Sequence, residues 1–344
     1  MPDAGPVLVG GRTDLEQVEL ADLHERAVES AADVDSALKV ALDAGARLPV
    51  PGDGRTAHLW SALASVAAAD LTVARVLEPH LDALAILGQA HESPEAGAYG
   101  VFAAEGPGEP LRASPDGWVH QLDGRKHWCS LAGVLDRALV SAWVGDRRQL
   151  FSVDLRQPGV RVVPGTWVAR GLVAVDSGPV DFAGATARKV GEPDWYLERP
   201  GFAWGGIGVA AVWFGGAVGI ARRMRRAAMA RTPDQVALMH LGAVDTVLHA
   251  ARCTLEQAAS ATDAGVLTGS DGWRAALRVR EVVAHAAEQV LQRAAHGLGP
   301  GPLATDEDHA RRVADLELYL RQWHAERDQA ALGQELLRPG APGW

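Results

Sequence analysis

The spacing of apolar residues changes twice along this 344-residue chain, from helical to alternating and back to helical, and few architectures accept that order. Val18, Leu20, Leu23 and Val28, then Val34, Leu38 and Leu42, recur at helical spacing among Asp, Glu and Ala, which predicts one or two helices over residues 15–46. Pro49-Val50-Pro51-Gly52-Asp53-Gly54 interrupts the pattern, and a second helical region runs from Thr56 through Trp60, Leu63, Val66, Leu71 and Leu77. Beyond Ser93-Pro94 the residues become β-branched, alternating and Gly-punctuated, with strands expected within 136–144, 149–153, 160–163 and 178–182. Helical periodicity returns over 202–231, 233–264, 272–295 and 307–337. The expectation is an α+β chain of three parts: an N-terminal helical domain (1–95), a middle β domain (96–195) and a C-terminal four-helix bundle (196–344).

Composition sets the class of protein. A hydrophobic fraction of 48% with 22% charged residues describes an ordinary globular chain, and a formal net charge of -10 argues against broad nucleic-acid binding. Cys129 and Cys253 are too few for a disulfide framework or a Cys-based metal cluster. His80, His240, His249, His285 and His309 show no paired spacing, so no metal site is expected. The acidic N-terminus lacks the features of a signal peptide, and no apolar stretch is read as a membrane span; the expected location is the cytoplasm.

The segment from Asp116 to Ser130 carries the most chemistry. Asp123-Gly124 between two alternating runs predicts a hairpin turn, because Gly accepts positive φ and Asp bonds its own following backbone. Trp128 and Ser130 stand two apart, which on a strand places a flat aromatic and a hydroxyl on one face. A core Trp and a backbone-bonding Ser are the alternative reading.

Asp116-Gly117, Leu122, Gly124, Lys126 and Trp128-Cys129-Ser130 together resemble the flavin-side segment of the acyl-CoA dehydrogenase family. Val168-Ala169-Arg170-Gly171 followed by Val180-Asp181-Phe182, and Gly216 to Arg223, resemble further parts of the same family, over about residues 69–328. The resemblance implies an acyl-CoA dehydrogenase-like fold and FAD as cofactor. It places Trp128 beside the flavin ring, Ser130 at its N5 edge, and the main chain of Ala103 and Ala104 at its pyrimidine edge, where the family usually has a Thr in place of Ala104. Arg231 then corresponds to a phosphate contact, and Gly297 and Gly299 to a Gly-rich turn. A solvated Arg and a plain helix C-cap would use the same residues.

The family's chemistry needs a carboxylate base, and Glu326 is the matching residue, although on a helix beside Arg321 and Arg327 a Glu also serves as an exposed ion-pair member. Flavin monooxygenases of the same fold carry a His near that place, which singles out His324. Three readings stay open: dehydrogenation of an acyl thioester or related small molecule, with an electron-acceptor flavoprotein; monooxygenation, with a flavin reductase; or a partner subunit without flavin chemistry. The resemblance also implies a homodimer or homotetramer, and neither nucleic acid nor membrane is an expected partner.

Overall fold

The computed structural model describes residues 5–341. Four helices come first: α1 (Asp14–Glu29), α2 (Val34–Gly45), α3 (Thr56–Ala69) and α4 (Leu71–Gln89). Their starts are written locally. Thr13 and Glu16 form a reciprocal capping box on α1, and Asp33 and Asp70 cap α2 and α4 by accepting from backbone N–H groups of the first turn. α3 is buried on nearly every side, with Trp60 at the centre of the core.

Seven strands follow: β1 (Tyr99–Phe102), β2 (Arg112–Asp116), β3 (Val119–Lys126), β4 (Arg137–Val144), β5 (Arg147–Asp154), β6 (Val160–Val162) and β7 (Val180–Val190). They run in the order β1-β4-β2-β3-β7-β5, and the additional β4–β5 pairing closes five of them into a ring; β6 pairs with β7. The hairpin differs from the expected one. Its turn is Asp116-Gly117-Trp118, with Gly117 at φ 60°, and β3 passes straight through Asp123-Gly124. There the register against β7 shifts, Gly124 adopts φ 123°, and the Asp123 carboxylate accepts from the Gly184 N–H at 2.8 Å. The second Asp-Gly is therefore strand and not a turn: both residues stay paired with β7, and the bulge residue is Gly184 of β7, at φ 66°, left over opposite the Leu122–Asp123 step.

The remaining chain is helical: α5 (Trp195–Glu198), α6 (Pro200–Met229), α7 (Gln235–Asp263), α8 (Gly269–Leu298), α9 (Pro300–Thr305), α10 (Glu307–Tyr319), a 3₁₀ turn (Leu320–Gln322) and α11 (Glu326–Leu336). α6 packs between α3 and α8, and Gly215 lets it touch the α3 backbone, where a Cβ would overlap Ala64. Contrary to the sequence reading, α6 is long and apolar enough to cross a membrane, yet most of that stretch is buried inside the protein. It is apolar on all sides because other helices surround it. The expected fourth long helix over 307–337 is also broken. The chain turns out of α10 through the 3₁₀ turn and through Ala325, at φ 50°, before α11 begins.

Candidate functional site

A cavity of about 520 Å³ lies where α4, the end of β1, the turn after β3, the 163–179 loop and the end of α10 converge. α4 supplies an unusual stripe. On an otherwise apolar helix, Arg75, Glu78 and Asp82 fall at i, i+3 and i+7, which puts three charges on one face, and all three line the cavity.

Glu78 is 12% exposed. Its carboxylate lies 3.3 Å from Arg75 Nη1 and accepts a hydrogen bond from the Tyr319 hydroxyl at 3.2 Å. Burial pushes its pKa up from 4.5 to about 7, against the pull of Arg75 and with help from the negative charge of Asp82. Asp82 is raised by burial too and held back by Arg199, 3.7 Å away. Burial also lifts the Tyr319 phenol well above its usual range, so it remains a proton donor at neutral pH. The Arg75 guanidinium stacks over the Tyr319 ring, 5.6 Å from its centre.

Another part of the wall comes from the strand region. Trp128 and Ser130 both line the cavity, although not by strand alternation. They follow β3 in a turn where Trp128 has φ 61° and Leu131 φ 62°, held by Cys129 N–H to Gly178 O at 3.1 Å and Leu131 N–H to Asp176 O at 2.7 Å. Trp128 is 56% exposed, so its ring is available to a ligand and is not a core residue. Ser130 is buried; its hydroxyl lies 2.8 Å from that of Ser177 and accepts from Arg75 Nη2 at 3.2 Å.

Ala103 and Ala104 line the same cavity, and the backbone of Ala103 is braced. The Ala103 carbonyl accepts from Ser141 Oγ at 3.1 Å and Arg148 Nη2 at 3.0 Å. Lys126, buried to 2% exposure, donates to Ser141 Oγ at 2.9 Å and to Glu105 at 3.3 Å. The 163–179 loop completes the wall with Trp167, Leu172 and Ser177. It is fastened to α10, where Asp315 accepts the Leu172 N–H and Gly171 lies directly against the Ala314 carbonyl.

Of the residues singled out from sequence, Ala103, Ala104, Trp128, Ser130 and His324 are brought together here. His324 is a rim residue, 66% exposed, with Nδ1 3.3 Å from Asp328. Glu326 is not part of this site. It is the exposed first residue of α11, outside the cavity lining, because the 3₁₀ turn and Ala325 redirect the chain after Gln322. Arg231 and Gly297 line a different cavity of about 370 Å³ at the end of the bundle, beside His240, and Gly299 is the C-cap of α8 at φ 69°. Arg75, Glu78, Asp82 and Tyr319 were not identified from sequence. The signal for the first three was the polar stripe on α4.

At the level of sequence the chain matches no protein-family profile and no curated protein. Its fold is shared with solved structures. TdsC from Paenibacillus sp. A11-2, in complex with FMN and indole, superposes with a TM-score of 0.80 at 17% identity over 96% of this chain and 99% of that one. KijD3, in complex with FMN and a dTDP-linked amino-keto sugar, gives 0.77 at 20% identity over 96% of each chain. Butyryl-CoA dehydrogenase from Megasphaera elsdenii gives 0.80 at 16% identity over 95% of this chain and 99% of that one. The chain has the acyl-CoA dehydrogenase-like fold.

Proposed function

We propose that this acyl-CoA dehydrogenase-like chain is a flavin-dependent oxidoreductase that removes a proton from its substrate through Glu78. One observation carries the reading: a carboxyl group whose pKa stands near 7 shares a cavity with Trp128, Ser130, Ala103 and Ala104. The residues present fit a flavin. The cavity volume falls in the usual range for small-molecule sites, roughly 300–1,000 Å³. It also offers an exposed indole face, the paired hydroxyls of buried Ser130 and half-buried Ser177, and the braced backbone of Ala103.

A bound flavin would supply a two-electron acceptor. The protein's share is proton handling and positioning. Glu78 accepts the substrate proton at its carboxylate, Arg75 stabilises the charged form before transfer, and the Tyr319 hydroxyl fixes which way the carboxylate faces. A base whose pKa lies near neutrality is ionised often enough to accept and acidic enough to release. Trp128 and the 163–179 loop keep water from the reacting face. Such chemistry suits an acyl thioester or a related molecule with an acidic proton beside a carbonyl, with electrons passed on to a flavoprotein acceptor.

FAD is the cofactor implied by the family resemblance, and FMN is the one seen in TdsC and KijD3. FAD would need adenosine contacts beyond this cavity. The Arg231–Gly297 cavity is the candidate, supplied by a second copy in a homodimer or homotetramer. Monooxygenation, with reduced flavin from a reductase, is the second reading, and it rests on His324 at the cavity rim and on Glu326 lying outside.

The deciding experiment is titration of the purified protein with FAD and FMN, followed by anaerobic bleaching with a panel of acyl-CoAs. Flavin binding with bleaching that Glu78→Gln abolishes supports dehydrogenation. Oxygen uptake with reduced flavin and no bleaching moves the assignment to the monooxygenase. Binding of neither flavin rejects both.

A further inference from the structure

Glu78 and Asp82 stand one helical turn apart on α4, and they line a second, narrow cavity as well as the first. This annex lies between α3, α4, α6 and the Pro49–Pro51 turn. Its internal volume is about 40 Å³, and it reaches the surface at Val50, which is 45% exposed. The two carboxylates are thus a wall between an aromatic-lined site and a separate way out.

An independent feature points into the annex. Trp60 is completely buried and lines it, and its indole Nε1 has no hydrogen-bond partner among the described residues. A Cβ placed on Gly208, on the facing helix, would lie 3.7 Å from that nitrogen, so the space beside it belongs to the annex. Buried N–H groups are nearly always satisfied, by protein or by ordered water. The annex has room for about two waters, and Trp60, Glu78 and Asp82 provide the two to four polar partners that an internal water requires.

We propose that the annex is a water site and the proton exit of the cavity, with waters joining Trp60 Nε1, Glu78 and Asp82 to the surface at Pro49–Pro51. This rests on the assignment of Glu78 as base. Once flavin and substrate fill the main cavity, a proton taken by Glu78 cannot leave past them. It passes from the Glu78 carboxyl to an annex water, while that water gives a proton to Asp82 or outward to bulk, and Glu78 is again a carboxylate. Asp82 is built for this position. Arg199 favours its ionised form, and Gly205 leaves space for it, since a Cβ there would sit 2.9 Å from Asp82 Oδ1.

Two measurements test the proposal. A crystal structure of the full chain is expected to show ordered water within hydrogen-bond distance of Trp60 Nε1, and a dry annex overturns the water site. With FAD or FMN bound, infrared-detected deuterium exchange at the Glu78 carboxyl, its band identified with Glu78→Gln, reads the exit directly. Asp82→Asn removes a relay group, and Gly208→Ala places a methyl beside Nε1 at ordinary contact distance and displaces water without straining the fold. Each is expected to slow exchange roughly tenfold, the effect of losing one relay hydrogen bond. Wild-type exchange rates in both variants overturn the exit. A protein that binds neither flavin rejects the oxidoreductase reading instead, and the crystal structure still decides the water site.

Discussion

Replacing Glu78 by Gln removes one titratable group while keeping the shape of the side chain and the acceptor that Tyr319 uses. The consequence for stability follows from the shift in its pKa, from 4.5 when exposed to about 7 when folded. Below 4.5 the group is protonated in both states; between the two values the folded protein holds a proton that the unfolded chain has released; above 7 it is ionised in both. The folded state binds more protons inside that window, so the contribution of Glu78 to stability is greatest at low pH and falls as pH rises through it. At ~1.4 kcal/mol for each pH unit of separation, the loss amounts to roughly 3 kcal/mol. The Gln variant lacks this dependence. Its stability relative to wild type should therefore rise by roughly 3 kcal/mol between pH 4.5 and 7 and then level off. Asp82 and Asp315 titrate in both proteins and cancel in the difference, apart from the coupling between Glu78 and Asp82. Urea unfolding followed by circular dichroism at a series of pH values measures it, with an unchanged m-value as the check that the unfolded states match. A stability difference that is flat with pH would refute the assignment of Glu78 as a buried, near-neutral base.

Three further outcomes are expected. Trp128→Ala should weaken flavin binding about tenfold, because stacking on an aromatic face is lost, and an unchanged dissociation constant in calorimetry would separate Trp128 from the cofactor. Gly171→Ala forces a methyl into the Ala314 carbonyl and should cost about 1–3 kcal/mol of stability, loosening the loop that carries Trp167 and Leu172; a wild-type melting temperature contradicts this packing. Lys126→Met removes the donor to Ser141 and Glu105 behind Ala103, and should lower stability by about 1–3 kcal/mol while weakening flavin binding. If urea titration shows the loss but flavin affinity is untouched, Lys126 braces the sheet alone.

Much of the fold was legible before any coordinates, since caps and periodicity act over a few residues. Thr13 with Glu16, and Asp33, cap helices within the stretch read as helical from its periodicity, whereas Asp70 splits into α3 and α4 what periodicity alone reads as one region from Thr56 through Leu77. The alternating middle block formed strands for the same reason. Two Asp-Gly pairs within nine residues offered two turns, however, and local chemistry favours both equally. The pairing of β3 with β7, some sixty residues away, is what makes Asp116-Gly117 the turn and keeps Asp123-Gly124 within the strand, opposite the bulge at Gly184.

The site divides in the same way. Trp128 and Ser130 were visible as a pair with ligand-binding potential, yet they meet through a left-handed turn and not through strand alternation. A carboxylate base could be anticipated as a residue type, but its position could not. Glu326 sits where the chain order suggests and is exposed, because Ala325 turns the backbone away. Glu78 lies 248 positions earlier and is buried beside Arg75 and Tyr319. What the residue order settles is whatever depends on neighbours within a turn or a strand: element type, caps and the apolar faces that must be covered. Which charge loses its water, and hence which carboxyl titrates near neutrality, depends on helices brought together from opposite ends of the chain.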